Sequence, residues 1–327
     1  MKLDVITIGT ATRDAFVKSK EFKRKSSSMF LSGESLCLPL GEKIDVEDIV
    51  FATGGGATNA AVTFSRQGLN TSCVCKIGND VSGREVLQNL KQEGVATNFV
   101  IEDNNKTAYS ILLLSPDGER TVLVYRGASE HFKKSDFNLR TLNAKWFYIA
   151  GSMPIEVLNL ILDKAKETNT KVVYNPSRTE IKTGLKGLGE VLKRLDVLLI
   201  NRAEGAYLTG IDYKKEDKIF KKLDDYVNGI VVLTDGNKGA LISDGKSIFE
   251  SGIFKNKEVI DRTGAGDAFG SGFVAGLIEK NDIQYAIRLA SANATMVVEK
   301  MGAKDGILTK DQFLNDKRWQ DFKIKVR

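Results

Sequence analysis

The 327-residue sequence predicts an α/β fold in which helices cover both faces of a mostly parallel sheet. After Ser129, buried strands alternate regularly with helices, which is the βαβ pattern that produces parallel strands. The predicted strands are Trp146 to Ala150, Val172 to Tyr174, Val197 to Ile200 and Ile230 to Leu233. The predicted helices are Pro154 to Thr168, Leu185 to Arg194, Ala203 to Leu208 and Lys214 to Val227. Ligands of such folds bind at the carboxyl ends of the strands, so polar residues there are candidates for a site.

Composition narrows the class of protein. Hydrophobic residues at 42% and charged residues at 28% are ordinary for a soluble globular chain. The net charge of +6 is spread among 42 acidic residues, so it indicates no nucleic-acid partner. The N-terminal apolar run is too short for a signal peptide, and no run has the length of a membrane span. Three cysteines without a disulfide or zinc spacing favour a reducing, cytoplasmic location. The single histidine, His131, makes carboxylate chemistry the default.

The N-terminal third predicts a strand, an irregular segment and a hairpin. Leu3 to Gly9 is a buried strand ending in glycine, and Asp14 follows it, where it also fits an ordinary turn residue. Residues 15 to 45 are irregular. Thr107 to Leu114 and Thr121 to Tyr125 are β-rich, and the string S-P-D-G-E-R between them predicts a hairpin turn.

The string G-G-G-A-T-N-A-A-V, Gly54 to Val62, leads into a predicted helix. It lacks the Lys-Ser/Thr ending of a P-loop. Two interpretations stay open for the glycines: a tight turn, or a close approach of the backbone to a ligand.

The most informative string is D-R-T-G-A-G-D-A-F, Asp261 to Phe269, at the head of an apolar helix that continues to Leu277. Backbone N–H groups at a glycine turn before a helix can bind an anion. Asp267 falls in the first helical turn, where the positive end of the helix dipole favours its ionised form. An anion site beside a carboxylate suits phosphoryl transfer to an alcohol. A capped helix with small residues for close packing is the alternative.

These strings together resemble the ribokinase family, also called the PfkB carbohydrate kinases. The matching motifs are D-x-T-G-A-G-D-x-F, G-G-x-x-x-N ending at Asn59, N-x-x-E at Asn201 to Glu204, and T-x-G-x-x-G at Thr234 to Gly239. The resemblance implies a three-layer sandwich with a small β lid. It implies one domain over residues 1–327, with the lid formed by residues 11–45 and 106–127. It also implies ATP-dependent transfer of the γ-phosphoryl group to a primary alcohol of a sugar.

The resemblance assigns the catalytic and acceptor residues. Asp267 is expected to be the catalytic base, and the N–H groups of Gly264, Ala265 and Gly266 the anion hole. The residues expected to hold the sugar are Asp14, Gly55, Gly56 and Asn59. Two departures weaken an assignment to ribose, because ribokinase has a lysine where Gly56 stands and a substrate glutamate where Gly151 stands.

The resemblance also assigns the nucleotide and cation sites. The residues expected at ATP are Asn201, Glu204, Thr234, Gly236, Gly239, Thr263, Asn293 and Arg178, with adenine near Asn293. Glu204 is expected to hold Mg²⁺ through water, and Asp261 marks a possible K⁺ site near the turn of Met301 to Ala303. Family members also suggest a homodimer formed through the lid.

Other functions stay open. Within the family, the acceptor can be a nucleoside or ribose 1-phosphate, and the donor can be ADP. A dinucleotide-binding oxidoreductase needs G-x-G-x-x-G, whereas Gly264, Gly266 and Gly270 give G-x-G-x-x-x-G. An inactive sugar-binding protein is disfavoured because Asp267, Asn201 and Glu204 are all present.

Overall fold

The computed structural model describes residues 2–29, 33–115 and 120–327. The strands are β1 Leu3–Gly9, β2 Thr12–Lys18, β3 Lys23–Ser26, β4 Glu34–Cys37, β5 Asp48–Gly54, β6 Thr71–Gly78, β7 Ile101–Asp103, β8 Ala108–Leu114, β9 Arg120–Tyr125, β10 Ala144–Gly151, β11 Lys171–Pro176, β12 Val197–Asn201, β13 Ile230–Thr234, β14 Ala240–Ser243, β15 Ile248–Ser251 and β16 Ile324–Val326. The α-helices are α1 Gly56–Arg66, α2 Val81–Gln92, α3 Ile155–Thr168, α4 Arg178–Ile181, α5 Gly184–Leu192, α6 Arg202–Thr209, α7 Glu216–Asp224, α8 Ala265–Lys280, α9 Ile283–Val298 and α10 Lys310–Asn315.

The main sheet confirms the predicted α/β class. Its strand order is β16-β15-β14-β13-β12-β11-β10-β1-β6-β7. The run from β7 to β13 is parallel throughout, and β14, β15 and β16 add antiparallel strands at one edge. The carboxyl ends of the parallel strands therefore meet at one edge of the sheet.

The central parallel strands are buried on both faces, and their side chains alternate between two cores. In β10, Phe147 and Ile149 pack with α3, α5, α6 and α7. Trp146 and Tyr148 of the same strand pack with α1, α8 and α9 on the other face. This gives three layers, with the sheet between two layers of helices, as the sequence predicted.

A separate small sheet, ordered β5-β2-β8-β9, is consistent with a lid. Strand β5 belongs to this sheet and lies outside the lid segments 11–45 and 106–127 that the resemblance implies. It pairs with β2 over seven residues, from Thr12 opposite Gly54 to Lys18 opposite Asp48. Strands β3 and β4 form a hairpin within the segment predicted to be irregular. Strands β8 and β9 are antiparallel as predicted, but residues 116–119 of the predicted turn lie outside the described residues.

Helix limits differ from the predictions by only a few residues. Helix α9 begins at Ile283, because the Asp282 side chain accepts a hydrogen bond from the Tyr285 N–H and caps the first turn. Within the part of the chain that the structure describes, no helix is both long and apolar enough to span a bilayer.

Candidate functional site

Two adjoining cavities open along the carboxyl edge of the main sheet. One, of about 680 Å³, is lined by the loop after β13, the start of α8 and one side of α9. The other, of about 210 Å³, lies between the ends of β11 and β12 and the first turn of α8. Thr234, Ala265 and Gly266 line both cavities, so the two form one groove.

Asp267 lies in the first turn of α8 and lines the smaller cavity. Its carboxylate accepts a hydrogen bond from Asn59 Nδ2 at 2.8 Å. Asn59 belongs to α1, so the glycine-rich string of the N-terminal third and the D-x-T-G-A-G-D string meet here although they are 208 residues apart. The bond fixes the carboxylate at the point where the two motifs join.

The start of α1 brings backbone close to the same carboxylate. Gly55 has φ of 100°, which a side chain would strain, and a Cβ added there would overlap the Thr10 backbone. The Gly56 N–H donates to Thr10 Oγ1 at 3.0 Å. A Cβ added at Gly56 would lie 3.6 Å from Asp267 Oδ1, so this glycine leaves the space beside the carboxylate open.

Asp14 lies in β2 beside Gly54 and is 6% exposed. Its carboxylate accepts a hydrogen bond from Thr12 Oγ1 at 3.0 Å. Burial raises the pKa of Asp14, while hydrogen bonds from Ser110 and Thr12 lower it. The structure thus holds a second carboxyl group within electrostatic reach of Asp267.

The pKa of Asp267 differs from the sequence expectation. The helix dipole predicted an easily ionised carboxylate, but burial raises the pKa of Asp267, and the charge of Asp14 acts in the same direction. The hydrogen bond from Asn59 and the charge of Lys304 oppose that rise. A carboxylate with a raised pKa is a stronger proton acceptor, so the change improves its suitability as a base.

The glycine turn before α8 is held by Asp261. Gly264 has φ of 78°, and a Cβ added there would overlap Ala303. Asp261 Oδ1 accepts hydrogen bonds from the Thr263 N–H at 3.0 Å and from Thr263 Oγ1 at 2.8 Å. Its Oδ2 accepts from the Gly302 N–H at 3.1 Å. Asp261 and Thr263 therefore tie the two turns together.

Asn201 and Glu204 lie at the start of α6 and line the smaller cavity. They form a capping box, in which Asn201 Oδ1 accepts from the Glu204 N–H at 2.9 Å and Glu204 Oε2 accepts from the Asn201 N–H at 3.0 Å. Burial raises the pKa of Glu204, and the hydrogen bonds from Asn201 oppose that rise. The two side chains are thus held in place at the edge of the groove.

Thr234, Gly236 and Gly239 line the larger cavity in the loop after β13. Asp235 of this loop accepts a hydrogen bond from Arg202 Nη1 at 2.9 Å and another from Tyr213 Oη at 3.0 Å. The Arg202 guanidinium also lies 4.5 Å from the Tyr213 ring centroid. This link between α6 and the glycine loop was not predicted.

Eight predicted residues are absent from the lining of both cavities: Asp14, Gly55, Gly56, Asn59, Asp261, Thr263, Asn293 and Arg178. Arg178 is exposed at the start of α4 and is absent from the lining of both cavities. The Asn293 side chain is fully buried, donates to the Ala268 carbonyl at 2.9 Å and accepts from the Leu308 N–H at 2.9 Å. It joins α8 to the segment before α10, while its neighbours Ser291, Ala294 and Thr295 line the larger cavity.

Sequence reasoning missed two buried polar groups. Lys304 is 5% exposed, and its ammonium group donates to Thr53 Oγ1 at 2.9 Å. The Ser291 hydroxyl lines the larger cavity, is buried and has no hydrogen-bond partner within the described residues. A lysine directly after a Gly-Ala turn and a serine on an amphipathic helix carry no local signal.

A larger cavity of about 970 Å³ lies elsewhere, against the starts of β1 and β7. Its lining in the described chain contains none of the predicted site residues. Cavity volume alone therefore does not identify the site. The candidate site is identified by the meeting of Asp267, Asn59 and the glycine turns.

Comparison with known proteins gives the same family throughout. A family model described as pfkB family carbohydrate kinase matches residues 22–310. Ribokinase of Haemophilus influenzae is 30% identical over 287 residues, which cover 84% of this chain and 90% of that protein. Cytidine kinase of Thermococcus kodakarensis is 28% identical, covering 83% and 95%. The structure of Arabidopsis thaliana ribokinase complexed with ribose and ATP superposes with a TM-score of 0.79 at 22% identity, covering 98% and 100%.

Proposed function

The chain belongs to the pfkB family of carbohydrate kinases, and from that membership we propose that it transfers the γ-phosphoryl group of ATP to a primary alcohol of a sugar, with Asp267 as the base. The observation that carries this proposal is the position of Asp267. It lies in the first turn of a glycine-headed helix, lines the groove and accepts a hydrogen bond from Asn59.

The arrangement supplies the parts that phosphoryl transfer needs. The acceptor hydroxyl lies beside Asp267, which takes its proton as the oxygen attacks. Asp14, Gly55, Gly56 and Asn59 position the sugar. The N–H groups of Gly264, Ala265 and Gly266 stabilise the negative charge of the transferred group. Closure of the small sheet over the acceptor excludes water from the reaction.

The nucleotide occupies the larger cavity in this proposal. Thr234, Gly236 and Gly239 line its phosphates and ribose, and the adenine lies against α9 near Asn293. The buried Ser291 hydroxyl, which lacks a protein partner in the described chain, offers a hydrogen bond there. The Asn293 side chain acts indirectly, because its amide is occupied by Ala268 and Leu308. Thr263 contributes by holding the turn, and Arg178, at the start of α4, lies outside the lining of both cavities.

Mg²⁺ fits the donor set at the start of α6. Glu204 offers one carboxylate at the edge of the groove, and Asn201 lies beside it. Mg²⁺ keeps several waters and needs few protein carboxylates, so Glu204 suffices through water. When bound, the ion supplies positive charge to the transferring phosphates.

K⁺ dependence is also part of the proposal. Asp261 accepts three hydrogen bonds from Thr263 and Gly302, so it would hold in place the two turns whose carbonyl groups would bind the ion. A nucleotide assay with Na⁺ in place of K⁺ tests this, and equal turnover in both salts would contradict it.

The first experiment measures nucleotide consumption against a panel of acceptors. The panel holds ribose, fructose, 2-keto-3-deoxygluconate, adenosine, cytidine and ribose 1-phosphate, each with ATP or ADP. Because the relatives include a ribokinase and a cytidine kinase, the panel must contain both sugars and nucleosides. Turnover with a nucleoside or ribose 1-phosphate alone would replace the sugar in the proposal, and no turnover at all would favour an inactive sugar-binding protein.

Asp267→Asn provides the internal test. The amide keeps the shape and can still accept the Asn59 hydrogen bond, but it cannot take a proton. We expect turnover to fall by about 10³-fold or more, with ATP binding retained. Asp163→Asn is the matched control, because Asp163 pairs with Arg194 on the surface and its side chain is 67% exposed. Near-normal turnover of Asp267→Asn contradicts its role as base.

We also propose that the protein is cytoplasmic, because its three free cysteines suit a reducing environment. We further propose that it forms a homodimer through the small sheet. Phe51, Ile111 and Leu123 lie in one cross-strand row of this sheet and are 51%, 36% and 53% exposed. A second copy of the row would cover this apolar face. Sedimentation equilibrium should show a dimer that Leu123→Arg dissociates, and a wild-type monomer at micromolar concentration overturns the proposal.

A further inference from the structure

The string G-N-D-V-S-G, residues 78–83, follows β6 and is built around one residue of the small sheet. Asp80 Oδ2 accepts a hydrogen bond from the Thr107 N–H at 2.8 Å, and Asp80 Oδ1 accepts one from Thr107 Oγ1 at 2.7 Å. The same hydroxyl accepts from the Gly78 N–H at 2.8 Å. Thr107 is 2% exposed and immediately precedes β8. The end of β6 therefore holds the small sheet at the point where β8 begins.

Both glycines of this string leave room for Thr107. A Cβ added at Gly78 would lie 2.6 Å from the Thr107 nitrogen, and one added at Gly83 would lie 2.9 Å from Thr107 Oγ1. Both distances are shorter than real Cβ atoms show. A side chain at either position would collide with Thr107, so the two glycines permit the close approach that the hydrogen bonds require.

The chain returns from the small sheet at the same place. Gly127, two residues after β9, has φ of 47°, and a Cβ added there would lie 2.2 Å from the Lys106 carbonyl oxygen. The Ala128 N–H donates to that oxygen at 2.8 Å. The start of β8 and the end of β9 thus meet beside Thr107, and Asp80 holds this junction.

The position of Thr107 sets the register of β8 against β2. Ser110, three residues after Thr107, lies opposite Asp14 in this parallel pair. Ser110 is one of the two hydroxyl residues whose hydrogen bonds lower the pKa of Asp14. Because successive side chains of a strand point to opposite faces, a slip of one residue would turn Ser110 away from Asp14.

Asp80 also has an ordinary structural role, as the N-cap of α2. Its Oδ1 accepts a hydrogen bond from the Gly83 N–H at 2.8 Å. Burial acts to raise the pKa of Asp80, but the hydrogen bonds from Thr107 and Gly83 hold it below its usual value, so the carboxylate is ionised at neutral pH. Serine caps a helix about as well as aspartate, so capping alone does not require a carboxylate that also reaches Thr107.

We propose that Asp80 is a positioning residue for the kinase reaction, which holds Thr107 and thereby keeps Ser110 of β8 opposite Asp14 at the acceptor end. The inference rests on the proposed function for its consequence in turnover. Asp80 acts only through Thr107 and the strand that follows it, and it transfers no proton.

The variant Asp80→Ser separates the two roles of this carboxylate. Its hydroxyl accepts the Gly83 N–H bond and caps α2, but the shorter side chain does not reach Thr107. Asp282→Ser is the matched control. Asp282 caps α9 through the Tyr285 N–H, and in the described chain it makes no side-chain hydrogen bond to the small sheet.

The first test measures amide hydrogen exchange without any substrate. In Asp80→Ser the amides of β8 and β9 should exchange about tenfold faster than in wild type, because two hydrogen bonds at the start of β8 are lost. The amides of α2 should keep their wild-type rates, and so should β8 and β9 in Asp282→Ser. Unchanged exchange of β8 and β9, or an equal acceleration throughout the chain, would overturn the proposal even if no acceptor is ever found.

The second test measures steady-state kinetics with the acceptor that the panel identifies. Asp80→Ser should raise the KM for the acceptor about tenfold and leave the KM for ATP unchanged, because only the acceptor end depends on the register of β8. Equal rises in both KM values contradict the positioning role, and so does an unchanged acceptor KM with faster exchange of β8 and β9. If wild type shows no turnover with any acceptor, the proposed function fails, and hydrogen exchange alone decides whether Asp80 holds β8.

Thr107→Val is the second variant if Asp80→Ser does not fold. Valine removes the hydroxyl and keeps the β-branched shape, while Asp80 continues to cap α2. Exchange of β8 and β9 and the acceptor KM should change in the same direction as in Asp80→Ser but by less, because the Thr107 N–H still donates to Asp80. Wild-type values in both measurements would overturn the proposal.

Discussion

The acceptor end and the nucleotide end of the proposed site are built differently. At the proposed acceptor end, Asp14, Asn59 and Lys304 are 6%, 4% and 5% exposed, and each makes a side-chain hydrogen bond, although Asn59 Oδ1 is buried without a partner in the described chain. At the nucleotide end, Asn201 is exposed, and added Cβ atoms at Gly236 and Gly266 would meet no heavy atom within 4 Å. The first end is charged and closed, whereas the second is an open surface of backbone.

The difference follows from what each end has to recognise. A sugar is uncharged, so the protein must supply the reactive charge and hold it in a buried place, where burial raises the pKa of Asp14 and Asp267. A nucleotide brings its own negative charge, and glycine turns and helix starts can bind it with N–H groups alone. The proposed acceptor end therefore supplies charge from buried side chains, and the nucleotide end supplies exposed backbone.

The largest effect on stability and turnover is expected at the glycine turn, where the two ends meet. Gly264→Ala forces a left-handed conformation on a side chain that also overlaps Ala303. We expect a loss of about 2–4 kcal/mol in the free energy of unfolding and almost no turnover. Gly266→Ala, two residues later, points into the open groove. It should fold as stably as wild type and raise the KM for ATP.

Thermal unfolding and nucleotide consumption of the two variants test these predictions of stability and turnover. Equal stabilities would mean that the turn is not packed against Ala303 as the structure shows. An unchanged KM for ATP in Gly266→Ala would show that this glycine does not belong to the nucleotide end.

The sequence predicted what short-range patterns determine. The layers, the parallel strands and the start of α8 at the glycine turn follow from local periodicity and turn chemistry. Asn59 and Asp267 each stand in a recognisable string, so their meeting across 208 residues followed from the two strings together. The helix dipole gave the wrong direction for the pKa of Asp267, because burial depends on packing that no local pattern contains.

What the sequence did not predict depends on distant partners. Lys304 meets Thr53 across 251 residues, and its neighbours in sequence resemble an exposed turn. Strand β5 exists because it pairs in register with β2, which composition did not reveal. Asn293 seemed available to a nucleotide, but Ala268 and Leu308 occupy its amide. Each of these features depends on which partner a residue finds after the chain has folded.

The smallest effect is expected at the nucleotide end, where one side chain stiffens an open loop. Arg202 is 11% exposed and binds Asp235 at 2.9 Å, so Arg202→Ala leaves the Asp235–Gly239 loop less ordered. We expect the KM for ATP to rise about fivefold, or about 1 kcal/mol, with kcat and the KM for the acceptor unchanged. Arg194→Ala removes a surface pair with Asp163 and is the control. A change in the acceptor KM of Arg202→Ala would show that the two ends are coupled, and the division between a closed, charged end and an open, adaptable one would then be incorrect.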